Sequence, residues 1–320
     1  MIRLVALLGM LMALVAGKAS AQTGADPQFQ LPGLVGEGNT VRPGAKHRLL
    51  QFVRDRQWKE AARLADGVAL SGAEDPHLHY LVGVVCWQRQ DKVSAIQRFR
   101  SAERLGLHEA YLHKALGLAY YDAHQYLLFE QQMARAIAAD RADPEPHFHL
   151  GRHAESVQGD FAGALRHFKK VVALDANHVR GHSYLAYCLE RLDRREDALE
   201  HYRVSVELVK QEGLRFSMPY QGMARLALEG DPETAANWAR NAVENEPDEF
   251  EAHALLARAH DRNGDLMQAV AAASEAVRLN PDHAASHYLL FTAHRKLGDS
   301  NEARRHVMRF QELKRIYGDQ

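Results

Sequence analysis

The feature that most constrains the fold of this chain is an internal repeat. Four segments begin with Gly-Asp, place alanine five residues after the glycine and continue with apolar residues at helical spacing: 159–178, 230–249, 264–283 and 298–314. A second helical pattern precedes each segment, as in "HALLARAHDRN" before the third. A short helix pair cannot bury its own apolar faces, so recurring pairs predict a stack in which neighbours share one core. The sequence therefore predicts an all-α fold.

These residues resemble the tetratricopeptide repeat (TPR), a helix–turn–helix unit of about 34 residues. Its two helices approach closely where small residues meet, at positions 8 and 20 of the unit. Position 20 is alanine in six units: Ala95, Ala164, Ala198, Ala235, Ala269 and Ala303. Phe129 at position 20 and Met223 at position 8 are bulky exceptions, so we expect their hairpins to be splayed or shifted.

The resemblance implies a right-handed α-solenoid of about seven to eight hairpins. Seven units run over 76–314, a degenerate hairpin occupies 43–75, and a short tail follows at 315–320.

The N-terminus predicts export. Arg3 precedes an apolar run, Leu4 to Ala16, and the small residues Ala19-Ser20-Ala21 follow, which is typical of a secretory signal peptide over 1–21. The run is too short to span a bilayer comfortably, although an uncleaved anchor is the alternative. Residues 22–42 are rich in glycine and proline and predict a flexible leader. We expect a periplasmic or secreted protein with no membrane span after cleavage.

The charge balance of the chain gives no support for nucleic acid as a partner. The chain has 40 lysine and arginine residues against 41 acidic residues, so no basic excess favours nucleic acid.

The two cysteines, Cys86 and Cys188, fall in separate predicted hairpins at buried positions, which favours free packed thiols over a disulfide. The sequence does not indicate an oligomeric state.

Histidine is frequent, with 19 in 320 residues, and it follows the repeat. Position 4 of successive units holds His79, His113, His147, His182, His253 and His287. Equivalent residues of stacked hairpins lie about 10 Å apart, too far to share a zinc ion, so this series predicts helix packing. A role for histidine in pH sensing is a further alternative.

Two other histidine pairs invite a metal hypothesis. His149 and His153 share a helix face, but no third ligand is evident. In "HEAYLH" His113 follows His108 by five positions, which in a helix rotates the second ring about 140° from the first. We therefore predict no metal site and no cofactor.

In the family that the chain resembles, the first helix of each hairpin lines a concave groove, mainly with positions 2, 5, 9, 12 and 13. Tyrosine, tryptophan and arginine at these positions are residue types that often anchor interfaces, although aromatics also pack between repeats. The predicted partner-binding residues are Tyr80, Trp87, Lys114, Tyr121, Arg152, Tyr187, Arg191, Tyr220, Arg258, Arg262 and Arg295.

No nucleophile elbow, paired catalytic motif or phosphate loop is present in the sequence. The resemblance therefore implies a non-enzymatic scaffold or adaptor in the cell envelope that binds an extended peptide or protein segment. The alternative is a periplasmic receptor for a glycan or an anionic polymer, because arginine and aromatic side chains suit both kinds of ligand.

Overall fold

The structure is a computed structural model that describes residues 44–69 and 74–318. The predicted signal peptide and leader lie outside the described residues. Within the described residues every regular element is an α-helix, which confirms the all-α prediction. The sixteen helices are α1 Ala45–Arg54, α2 Trp58–Ala69, α3 Pro76–Gln88, α4 Lys92–Arg104, α5 Ala110–Asp122, α6 Tyr126–Ala139, α7 Glu145–Ser156, α8 Phe161–Leu174, α9 Val179–Arg191, α10 Arg195–Glu212, α11 Met218–Ala227, α12 Pro232–Asn245, α13 Phe250–Asn263, α14 Leu266–Leu279, α15 Ala284–Leu297 and α16 Ser300–Tyr317.

The helices belong to two compact units, the first made of 44–159 with 173–175 and the second of 160–172 with 176–318. In the first unit, the pairs α1/α2, α3/α4 and α5/α6 pack as hairpins. In the second unit the hairpins are α9/α10, α11/α12, α13/α14 and α15/α16. The last helix, α16, extends three residues into the predicted tail, to Tyr317.

The turn inside most hairpins uses a left-handed residue; the turn between α11 and α12 is an exception. Gly264 and Gly298 end α13 and α15 with φ of 82° and 81°. At the same point of other hairpins a residue with a side chain adopts this conformation: Arg56, Gln90, His124 and Asp193. Asp299, which follows Gly298, caps the next helix, because its side chain accepts a hydrogen bond from the Glu302 N–H. Asp265 makes no such hydrogen bond, so the Gly-Asp pair works as turn and cap at 298–299 but not at 264–265.

Small residues do allow the close helix contacts that the repeat pattern predicts. A Cβ on Gly83, at position 8, would lie 2.6 Å from the Phe99 ring. A Cβ on Gly117, at position 8 of the next unit, would lie 2.7 Å from Cε of Met133. Ala95, at position 20, is completely buried. The two helices of each of these hairpins therefore contact each other at positions where only the hydrogen of glycine or the methyl group of alanine fits.

The hairpin that carries Met223 has a glycine one position earlier, and this glycine makes a close contact with the preceding hairpin. Gly222 lies against Tyr202, and a Cβ there would be 2.2 Å from the tyrosine ring. Met223 itself is buried. Glycine at position 7 therefore makes room for the Tyr202 ring and lets α10 of one hairpin pack closely against α11 of the next.

Both cysteines are free thiols, as predicted. Cys188 is buried, while Cys86 is half-buried. Burial, together with the nearby carboxylate of Asp91, raises the pKa of the Cys86 thiol above its usual value. A raised pKa lowers the thiolate fraction, so Cys86 is a packing residue rather than a reactive nucleophile.

Candidate functional site

Four of the eleven predicted groove residues are buried, and for these the prediction of an open binding surface was wrong. Tyr80, Lys114 and Tyr220 are 0, 4 and 5% exposed, and Trp87 is 9% exposed. Each instead packs within or between hairpins. The physical reason is that the first helices are covered by the next hairpin on the side that these residues occupy.

Tyr80 and Lys114 show what replaces the predicted surface. The Tyr80 ring packs against Phe99 and edge-on against Tyr111, with centroids 5.7 and 4.9 Å away. The Lys114 ammonium donates to a carboxylate oxygen of Asp143 at 2.5 Å, in a pair with both side chains buried. A buried ion pair that loses one partner leaves an uncompensated charge. Lys114 is therefore needed for the stability of the fold and is not available to bind a partner.

The other two predicted residues of the first unit are half-buried and already in contact with neighbours. Tyr121 packs against the rings of Phe129 and His153, with centroids 5.1 and 5.8 Å away. The Arg152 guanidinium donates to the Glu155 carboxylate at 3.1 Å. The first unit therefore presents little of the predicted surface.

The second unit differs because its arginines reach the surface. Arg191 at the end of α9 is exposed, its guanidinium lies 4.4 Å from the centroid of the Phe161 ring, and it donates to the Tyr187 hydroxyl at 3.0 Å. Phe161 and Tyr187 thus hold the Arg191 side chain in place without neutralising its charge.

Arg258 and Arg262 lie one turn apart on α13, and Arg295 lies on α15; all three are exposed. Within the described part of the chain, none of these three arginines forms an ion pair with a carboxylate, and Arg191 does not form one either. Partial desolvation, with the charges of Arg262 and Arg225, lowers the pKa of Arg258. We call Arg191, Arg258, Arg262 and Arg295 the arginine face. Four positive charges that lack a direct carboxylate partner among the described residues favour an anionic ligand, although the charge of Glu229 does act on Arg258.

A fifth arginine of the same region was missed by the sequence prediction. Arg225 on α11 donates two hydrogen bonds to the Glu190 carboxylate, at 2.9 and 3.0 Å, and one to the Tyr202 hydroxyl at 3.1 Å. Desolvation alone would lower the pKa of Arg225, but these hydrogen bonds outweigh it and raise the pKa. The bidentate pair links successive hairpins, so Arg225 is a structural residue beside the arginine face.

The histidine series packs helices together, as predicted. His113, His182, His253 and His287 are buried. His182 Nε2 contacts the Ala176 carbonyl at 3.1 Å, and its Nδ1 contacts Nδ1 of His201 at 3.1 Å. His287 pairs with His306 in the same way at 3.0 Å. The sequence analysis missed these partners, which lie 19 residues downstream on the second helix.

The prediction for "HEAYLH" was wrong in its geometry. The helix α5 begins at Ala110, so His108 precedes it and the rotation of about 140° does not apply. The rings of His108 and His113 are nearly parallel, with centroids 6.4 Å apart. Together with Glu103 they form the one group of three potential metal-ligating residues among the described residues. The i, i+4 pair of His149 and His153 is not part of it.

No helix in the described ranges is long and apolar enough to cross a bilayer.

Family models match three stretches of the chain. The tetratricopeptide repeat model matches residues 50–110 and 153–212. The model described as "Anaphase-promoting complex, cyclosome, subunit 3" matches residues 230–310. No curated protein matches the chain in sequence.

Two solved structures share the fold. The C-terminal part of a TPR repeat-containing protein from Cytophaga hutchinsonii is 15% identical with a TM-score of 0.58, over 77% of this chain and 99% of that one. The Cut9–Hcn1 structure from the APC/C is 11% identical with a TM-score of 0.63, over 78% of this chain and 48% of that one. This chain therefore spans about half of the second structure's chain. With the repeat positions and the hairpins, these matches show that the chain belongs to the tetratricopeptide repeat family, as an α-solenoid of helix–turn–helix units.

Proposed function

We propose that this protein is a non-enzymatic adaptor that binds an extended, acidic peptide or protein segment on the arginine face of its second unit. Protein interaction is the general role of the family. The observation that carries the proposal is the set of four exposed guanidinium groups on α9, α13 and α15 that have no carboxylate partner among residues 44–69 and 74–318.

The ligand class follows from charge and spacing. Guanidinium groups pair with carboxylates through short, charge-assisted hydrogen bonds. First helices of successive hairpins lie about 10 Å apart, and an extended chain advances about 3.3 Å per residue. Acidic residues three positions apart in an extended segment would therefore meet the arginines of α13 and α15, and an acidic residue about six positions further along would reach Arg191 on α9, two hairpins from α13.

Exposed aromatic surface near the arginine face adds an apolar component to the site. Tyr288 is 49% exposed and packs against Phe310 and Phe291, while the Arg295 guanidinium lies 5.3 Å from the Phe291 centroid. Aromatic side chains bury a large area at low entropic cost, so an apolar residue beside the acids would strengthen binding.

We place this adaptor in the cell envelope, in the periplasm or outside the cell. The support is the signal-peptide pattern of residues 1–21, which lies outside the described residues. The competing function is a receptor for a glycan or an anionic polymer, since the same arginines would bind sulfate or carboxylate groups on a polysaccharide.

Affinity capture from a cell-envelope extract, after mild crosslinking and with mass-spectrometric identification, tests the adaptor role. The variant carries Arg191→Ala, Arg258→Ala and Arg262→Ala. A matched control replaces three exposed arginines of second helices, Arg166→Ala, Arg203→Ala and Arg304→Ala. We expect a protein retained by the wild type and the control and lost by the variant. A protein retained equally by all three forms, or none in any form, would refute the proposal.

A further inference from the structure

A second candidate site lies in the first unit, at the junction between α4 and α5. Glu103 is in the last turn of α4, His108 is in the connection, and His113 is in the first turn of α5. One possible ligand atom from each of the three side chains lies within 4.8 Å of those of the other two. The three residues therefore converge although they come from three different local structures.

The hydrogen bonds of His113 leave one ring nitrogen suited to metal. Its Nδ1 is 2.8 Å from Oε1 of Gln132, and an amide oxygen can only accept, so Nδ1 carries the proton. The lone pair then lies on Nε2. Nδ1 also lies 4.0 Å from Oε1 of Glu103, so the Glu103 carboxylate must move towards Nε2 to share an ion with it. Metal-binding histidines usually donate their other N–H to a carbonyl or carboxylate oxygen, which fixes the tautomer and the ring orientation. Gln132 supplies this support from α6.

The exposure of the three residues allows the site to close around an ion. His113 is buried, Glu103 is half-buried, and His108 is exposed on the connection. Tetrahedral zinc with bonds of about 2.1 Å needs its ligand atoms about 3.4 Å apart. Rotation of the exposed His108 ring and of the Glu103 carboxylate can shorten the separations between ligand atoms from up to 4.8 Å to about 3.4 Å, while His113 stays fixed.

One neighbouring charge opposes the metal. The Arg135 guanidinium donates to Oε1 of Glu103 at 2.6 Å. The second carboxylate oxygen of Glu103 remains able to bind an ion, and Arg135 is itself largely exposed, so water screens its charge. This cost favours a metal with strong imidazole affinity over magnesium or calcium, which prefer oxygen ligands.

From this geometry we propose that Glu103, His108 and His113 form a binding site for a divalent transition-metal ion of the zinc class. Three protein ligands leave a fourth position open for water or for a side chain of a partner. The bound ion ties the end of α4 to the start of α5, and so joins the hairpin α3/α4 to the hairpin α5/α6. This site is independent of the arginine face, which belongs to the other unit.

The test is a zinc titration of the full chain, purified without a histidine tag and stripped of metal, against a chromophoric chelator. The variants are His108→Ala and Glu103→Gln. His47→Ala is the control, because His47 is an exposed histidine of α1 outside the cluster. His108 is exposed and precedes the helix, so its truncation leaves the fold intact, which circular dichroism checks.

We expect one zinc site whose affinity falls about tenfold or more in both variants and is unchanged in His47→Ala. Zinc, but not magnesium, raises the midpoint of thermal unfolding of the wild type and loses this effect in His108→Ala. Equal zinc affinity in the wild type and His108→Ala would assign any uptake to adventitious binding by other histidines and overturn the proposal. The absence of zinc uptake by the wild type would overturn it as well.

Discussion

The indole Nε1–H of Trp87 donates a hydrogen bond to Oδ2 of Asp122 at 2.6 Å and so joins the first helices of two successive hairpins. Lys296 and Asp261 form the same kind of link in the second unit, also at 2.6 Å and also between residues 35 positions apart. The spacing is one repeat plus one residue. In these four residues, groove positions 12 and 13 bind the neighbouring repeat, which is why Trp87 is not available to a partner.

Loss of the Asp122 carboxylate should destabilise the first unit. Desolvation raises the pKa of Asp122, while the hydrogen bond from Trp87 and the charge of Lys92 oppose that increase. Asp122→Ala leaves the buried indole N–H without its acceptor, at a cost of about 1–3 kcal/mol. Urea unfolding followed by tryptophan fluorescence measures this change.

Asp66→Ala is the control for Asp122→Ala, because Asp66 pairs with Arg89 at 2.9 Å on the exposed surface. An exposed pair contributes little to stability, so this variant should unfold close to the wild type. If both variants lowered the midpoint equally, the link between the hairpins would not be the cause.

Acidification should weaken the fold through the paired histidines. Desolvation, followed by the charge of His287, lowers the pKa of His306 from 6.5 to about 4. Desolvation also lowers the pKa values of His287 and His201. An unfolded histidine keeps its usual pKa, so below about pH 6.5 the unfolded chain binds more protons than the folded one. The free energy of unfolding should therefore fall between about pH 6.5 and pH 4, and these groups should have no effect above that range.

Glutamine at the second position of the pair tests this account, because Gln132 already occupies it opposite His113. The double variant His201→Gln, His306→Gln keeps a hydrogen-bond donor for His182 and His287 but removes two titrating groups. Its midpoint of thermal unfolding should change less with pH than that of the wild type. An identical pH dependence in both proteins would contradict the assignment to these pairs.

A methyl group on Gly222 should be poorly tolerated, since it would lie 2.2 Å from the Tyr202 ring. The Tyr202 hydroxyl is held by Glu190 at 2.8 Å, so the ring cannot move without loss of that contact. We expect Gly222→Ala to cost about 1–3 kcal/mol in the free energy of unfolding, as for other overpacked core positions. Chemical denaturation that showed no loss would mean that α10 and α11 can separate freely.

Alanine substitution at two glycines outside the core should change the free energy of unfolding in opposite directions. Gly264 has a φ of 82°, which a side chain strains, so Gly264→Ala should destabilise by about 1 kcal/mol. Gly67 is helical, and a Cβ there would contact nothing within 4 Å, so Gly67→Ala should stabilise by about 0.5–1 kcal/mol. Thermal unfolding of both variants checks the signs, and the same sign for both would contradict the backbone assignment.

Much of the fold was predictable because the repeat constrains sequence and packing together. Small residues such as Gly83 and Ala95 mark the helix contacts, and the Gly-Asp pairs mark the turns. The left-handed turns at Gln90 and Asp193 were not predictable, because these residues rarely adopt this conformation. The close contact at Gly222 was not predictable either, because it depends on Tyr202, a partner 20 residues away on the preceding hairpin.

The candidate sites were less predictable, since position in a repeat does not reveal what covers a side chain. Tyr80 and Arg258 both fall at predicted groove positions, yet one is buried and the other exposed. The convergence of His108 on His113 depends on where α5 begins, and element boundaries are the weakest part of a sequence-based prediction. The charge of Arg258 was visible in the sequence, but its lack of a carboxylate partner was not.

The most direct test of the account is a fluorescence-anisotropy titration of the full chain with a short labelled peptide that has glutamate at every third position. A lysine version of the peptide and a sulfated polysaccharide competitor complete the set. We predict that the glutamate peptide binds, that the Arg191, Arg258 and Arg262 triple variant weakens binding about tenfold to hundredfold, and that the Arg166, Arg203 and Arg304 control does not. Binding of the polysaccharide alone would favour the polymer receptor, and equal peptide affinity in the variant and the wild type would contradict the arginine face as the binding site.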